Sequence, residues 1–181
     1  TINKMALLLS FSFLWLISST RKITVGNDTE SYYLFFNSMR SGQSSALELV
    51  KDSSLITTSG LESGFKIYTQ IINSVTDNFV HYLLVSYFAI YYSFYKFISK
   101  YSPDYLLSIV VYLGFFFFGS MSMLRQSIAM AIVIWGYKYI KEQKLPKYIS
   151  IILLASVFHQ ASIVMVIPYF IYRKEVNRKT I

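Results

Sequence analysis

The stretch GSMSMLRQSIAMAIVIWG (119–136) sets Arg125, followed by Gln126, in a run that is otherwise soluble in lipid. A guanidinium keeps its charge at any relevant pH, and bringing it near hydrocarbon is costly unless a partner offsets the cost. Two accounts fit. The side chain snorkels to the interface, or it faces an anion in a wet cavity, where its fork matches phosphate or carboxylate oxygens. Three other clusters carry comparable groups. In RKITVGNDTESYY (21–33), Arg21 leads into a Gly-Asn-Asp-Thr turn, and Asp28 or Thr29 either caps a helix or faces a substrate. LESGF (61–65) holds Glu62, exposed at a helix start or turned into a site. FHQAS (158–162) holds His159 near the middle of an apolar run, as a hydrogen-bonded core histidine or as a proton-transferring group. Gathered in one cavity, Arg21, Arg125, Asp28, Glu62 and His159 would join two guanidiniums suited to a pyrophosphate with groups able to take a proton from a hydroxyl.

The elements that must position these groups are apolar helices. Of the 181 residues 54% are hydrophobic and 14% charged, about half the charge of a soluble domain, which points to an all-α integral membrane protein. Five segments are candidates to span: 5–19, 79–98, 105–123, 127–140 and 148–172, the last with His159 at its centre. Residues 20–78 are too long for a simple connection and read as an extracytoplasmic, interfacial segment within a single membrane domain. Within it, SALELVKDSSLI and SGFKIYTQIINSV have helical spacing. In the second, Phe65, Ile67, Ile71, Ile72 and Val75 would line one face at the membrane surface.

Charge sets the expected orientation. The short basic connections at Lys96/Lys100 and in KEQKLPK (141–147) belong on the cytoplasmic side, which leaves 20–78 and Arg125 outside. The basic tail RKEVNRK (173–179) then conflicts with this rule if 148–172 crosses once, and a broken or re-entrant segment at His159 would remove the conflict. The net charge of +8 is accounted for by these flanking runs, so no nucleic-acid partner is expected. With no cysteine and two histidines, a thiolate or multi-imidazole metal site is not expected either, nor is any cofactor.

RKITVGNDTESYY, ESGF (62–65), LRQSIA (124–129) and FHQAS, in this order and spacing, resemble the EpsG family of bacterial multi-span exopolysaccharide and capsule proteins, related to Wzy-type polymerases. Two positions depart from the family's pattern: Ser18-Ser19-Thr20 stand where a glycine usually precedes the arginine, and Ser63 stands where proline is common. The resemblance implies that this chain is the motif-bearing first half of a longer protein in the bacterial cytoplasmic membrane, with its site facing outside. It further implies a polymerase that joins oligosaccharide repeat units carried on undecaprenyl pyrophosphate. Asp28, Glu62 and His159 would then be catalytic, and Arg21, Arg125, Asn27, Thr29, Tyr32 and Gln126 would bind substrate. The partners would be lipid-linked oligosaccharide, membrane lipids and other exopolysaccharide proteins. A non-catalytic transport or assembly component, or an acyltransferase acting on the polysaccharide, would use similar groups.

Overall fold

The computed structural model describes residues 2–40 and 61–173; SALELVKDSSLI and nearly all of the basic tail lie outside these. Among the described residues every regular element is helical. Helix α1 (Ile2–Thr20) packs beside α4 (Phe79–Tyr101), the central helix, which in turn packs against α6 (Leu124–Lys141). Indole and hydroxyl bonds tie these together: Trp15 donates to the Leu84 carbonyl at 2.9 Å, Ser18 meets Tyr91 at 2.6 Å, and Trp135 donates to Ser93 at 2.9 Å. Polar bonds of this kind hold helices where surrounding lipid removes the hydrophobic incentive to associate.

Helix α5 (Tyr105–Ser122) has a mean hydropathy of 1.8 and contains a π-helical turn at Leu113–Phe117. Among the described residues it alone is both long and apolar enough to cross a membrane by composition, against the five segments suggested above. Lys4, Arg125, Lys138 and the many tyrosines dilute the other helices. Large apolar side chains nevertheless project outward from α1 and α5, with Leu9 and Phe13 each 64% exposed and Phe115 81% exposed. An apolar belt of this size is what a hydrocarbon surrounding accepts and water does not.

The last apolar segment is broken. Helix α7 (Leu145–Phe158) begins with Pro146 in its first turn and ends at His159, whose extended backbone (φ −153°, ψ 108°) precedes a 3₁₀ stretch, Gln160–Val166, and then α8 (Ile167–Arg173). Tyr148, at the start of α7, donates its hydroxyl to the Met165 carbonyl, and its ring stacks on Tyr169 at 5.7 Å. Residues 148–172 therefore turn back on themselves at His159 rather than run straight, and Tyr169 returns to the end of α7 that holds Tyr148. Close approach of α6 to α7 depends on Gly136, where a Cβ would stand 3.0 Å from the Tyr148 ring.

Over the opposite end lie α2 (Thr29–Arg40) and α3 (Ser63–Asn73). Phe65 of α3 packs against Tyr32 of α2, Phe36 packs against Tyr82 of α4, and the Asn73 amide donates to the Phe36 carbonyl at 2.9 Å. The expected single apolar face of α3 is not formed. Phe65, Thr69 and Ile72 point into the core, whereas Ile67, Ile71 and Val75 are exposed. Residues two apart on a helix face opposite ways, so Phe65 and Ile67 cannot share a face.

Candidate functional site

Two glycines bring the sequence clusters to the helix breaks. Gly26 has φ +92°, open to glycine without steric cost, and a Cβ there would lie 2.6 Å from the Met121 carbonyl oxygen. The Gly26–Thr29 turn is thereby seated on the end of α5, beside the one-residue break at Met123 (φ −108°, ψ 68°). At Gly64 a Cβ would stand 2.5 Å from Val157 Cγ1 and 2.8 Å from the Val157 carbonyl oxygen. That contact seats the start of α3 on the end of α7, beside the break at His159.

Glu62 joins the two breaks. One carboxylate oxygen accepts from Arg125 Nη1 at 2.5 Å; the other accepts from the Gln160 backbone N–H at 3.2 Å and faces His159 Nδ1 at 3.3 Å. The imidazole contact has ion-pair distance without hydrogen-bond alignment. Arg125 occupies the first turn of α6, where the helix dipole disfavours a cation, so the carboxylate offsets both desolvation and dipole. The Tyr32 hydroxyl also lies against this guanidinium. Burial raises the Glu62 pKa, but the backbone N–H groups and the Arg125 guanidinium outweigh it and hold the carboxyl below the ordinary value of 4.5. At Tyr32 burial prevails and the phenol is pushed up. Arg125 is thus neither snorkelled nor isolated; its side chain is 23% exposed and shares its carboxylate with His159.

His159 and Gln126 line a cavity of about 340 Å³ between α6 and the returning segment. Gln126 also borders a smaller apolar pocket on the other side, among Tyr112, Phe116 and Met130. His159 is 29% exposed and sits at the turn, where it lines this cavity instead of packing into the core.

Arg21 is used differently from expectation. Its fork donates to the Ser18 carbonyl at 2.5 Å, the Val25 carbonyl at 3.1 Å, Thr29 Oγ1 at 3.0 Å and the Met121 carbonyl at 2.8 Å, and its face covers the Tyr87 ring at 4.9 Å. Four of its five donors therefore serve the protein, and it clamps the turn to the end of α5. Thr29 is fully buried and its hydroxyl donates a hydrogen bond to the Val25 carbonyl at 2.7 Å, so it is neither a cap nor accessible to a substrate. Asn27 is exposed and Asp28 half-buried near Tyr32. Sequence reasoning missed Tyr87, Met121 and the Gln160 N–H. The first two carried no local signal, while Gln160 stands inside the FHQAS cluster, where the signal pointed to the neighbouring His159 side chain. Among the described residues no group of three or more histidines or carboxylates is placed to hold a metal ion.

A family model for EpsG matches residues 4–181, essentially the whole chain. The chain belongs to the EpsG family. No curated protein and no solved structure matches it significantly. Membership makes this EpsG chain an exopolysaccharide-related, membrane-associated protein, in keeping with its helical architecture and outward apolar belt.

Proposed function

We propose that this EpsG-family chain provides the site of a glycosyl transfer that polymerises oligosaccharide repeat units carried on undecaprenyl pyrophosphate. The reading rests on the assembly of Arg125, Glu62 and His159 from three distant parts of the sequence at two helix breaks. The acceptor sugar hydroxyl gives its proton to His159 Nε2, while the Glu62 carboxylate, 3.3 Å from Nδ1, stabilises the imidazolium that forms. The hydroxyl oxygen attacks the anomeric carbon of the donor, the bond from that carbon to the pyrophosphate oxygen breaks, and the electron pair leaves with the pyrophosphate. Arg125 stabilises the charge that develops there, while the Gln160 N–H holds the Glu62 carboxylate in place. Gln126 binds the phosphates, buried Tyr32 holds the Arg125 guanidinium toward them, Asn27 and Asp28 bind sugar hydroxyls at the rim, and Arg21 with Thr29 positions that rim. The charge pattern supports a multi-pass protein with this site outside and the lysine-rich end cytoplasmic, because the fold-back at His159 brings Tyr169 back to Tyr148 beside Lys144 and Lys147. Exopolysaccharide proteins and membrane lipids are the partners of this reading.

Purified full-length protein incubated with lipid-linked repeat units tests it. The proposal expects glycans of two or more repeats with release of free lipid pyrophosphate. Transport of intact repeats across a bilayer without elongation would refute it.

A further inference from the structure

At the end of the bundle away from Glu62, three helices enclose a second cavity, of about 470 Å³. Lys4 of α1, Lys96 and Lys100 of α4, and Lys138 of α6 line it together with Tyr101 and Trp135. Lys138 lies 13 residues beyond Arg125 on α6, about 20 Å along the axis at 1.5 Å per residue. Lys96 and Lys100 are one turn apart on the same face, a spacing at which like charges repel. Aromatic rings steady the ammoniums without neutralising them: Lys96 lies 5.3 Å from the Tyr92 centroid, Lys100 5.2 Å from Tyr101, and Lys138 4.7 Å from Tyr139. Among the described residues, none of the four pairs with a carboxylate. The carboxylates closest in sequence bond other groups, Asp104 the Leu107 N–H at 3.1 Å and Glu142 Lys144 at 2.8 Å, with Lys138 attracting Glu142 only through space.

We infer that this cavity binds the phosphate of an anionic phospholipid headgroup. All four lysines are exposed, so water screens their mutual repulsion, and together they present one cationic hollow complementary to a phosphodiester. The apolar surroundings supply the reason for a lipid rather than a soluble ester. Trp135, 45% exposed, stands at the rim as an interfacial ring does, and Phe97 and Ile134 continue from this cavity into an apolar groove beside α5. The site is separate from the Arg125–Glu62–His159 cluster and does not depend on the reaction proposed for it.

The test uses the full-length protein in detergent, titrated with phosphatidylglycerol and, separately, with phosphatidylcholine, reading retained lipid by native mass spectrometry and Tm by scanning fluorimetry. Wild type should retain phosphatidylglycerol selectively and gain Tm. The Lys96→Gln/Lys100→Gln variant should lose roughly tenfold or more in apparent affinity, and Lys96→Arg/Lys100→Arg should keep it. A Lys144→Gln/Lys147→Gln control, with the same change in net charge outside the cavity, should also keep it. Circular dichroism confirms that each variant is folded. Equal retention by wild type and the Gln variant would overturn the inference. So would an equal loss in the control, or stabilisation by glycerol 1-phosphate as strong as by the lipid, which would assign the cavity to a soluble phosphate ester.

Discussion

Replacing Glu62 by Gln keeps the shape of the side chain and removes its charge. Three contacts are affected: the 2.5 Å bond from Arg125, the 3.2 Å bond from the Gln160 N–H, and the 3.3 Å approach of His159. A hydrogen bond to a charged group contributes about 1.5–3 kcal/mol, and breaking a fully buried ion pair costs about 3–5 kcal/mol. Both side chains retain about a fifth of their exposure, so solvent screens the pair and the lower range applies, near 2 kcal/mol. At about 2–4 °C per kcal/mol for a chain of this size, Tm should fall by roughly 4–8 °C. Arg125→Met should cost a similar amount. The double variant should cost clearly less than the sum, because removing both partners leaves no unpaired charge. Thermal unfolding of the four proteins in one detergent completes the cycle. Additive losses, with a coupling below about 0.5 kcal/mol, would refute the claim that Glu62 and Arg125 act as a pair.

The depressed Glu62 pKa gives a pH test. Its folded-state value lies below 4.5, so its contribution is fully present above about pH 4.5 and is lost as the pH falls through the folded value. Wild-type Tm should therefore drop in that acid range by a component that Glu62→Gln lacks; parallel Tm-against-pH curves would contradict this. Tyr68 gives the opposite sign. Burial pushes its phenol up to about 12 while the hydroxyl bonds Ser86 at 2.7 Å, so stability should fall between pH 10 and about 12, and Tyr68→Phe should remove that loss. Gly64→Ala should destabilise by about 1–3 kcal/mol, because the new methyl meets the Val157 backbone, whereas Gly114→Ala, with nothing within 4 Å, should be neutral or gain about 0.5–1 kcal/mol; equal Tm values for the two would contradict the seating of α3 on α7. Single cysteines introduced at 145 and 172 should label from the same side of the membrane, while labelling from opposite sides would contradict the fold-back at His159.

Long apolar runs made α1, α4, α5 and α6 legible to within a few residues, since burial and span length act on local sequence. The 148–172 run was harder. Its apolar pattern is continuous, and what turns it back is Tyr148 meeting Met165 and Tyr169, together with Glu62, 98 residues away, accepting the Gln160 N–H. The sequence names His159 as a place for a break without showing which way the chain then goes. Arg21 shows a different limit. Guanidinium chemistry suits phosphate and stacked carbonyls alike, and only the Met121 carbonyl, 100 residues away, decides between them. Conversely, Glu62 had an ordinary helix start as its local account, and it is indeed the N-cap of α3. Its side chain caps nothing there, because Arg125 offers a charged donor where the α3 amides offer neutral ones.

The rate at which purified full-length protein releases undecaprenyl pyrophosphate from lipid-linked repeat units, compared between wild type and Arg125→Lys, bears on the polymerase reading most directly. Lysine keeps the charge but loses the fork that spans Glu62 and a leaving pyrophosphate, so release should fall by about 10²-fold or more with the protein still folded. Release at the wild-type rate by Arg125→Lys, or by Arg125→Ala, would contradict the account.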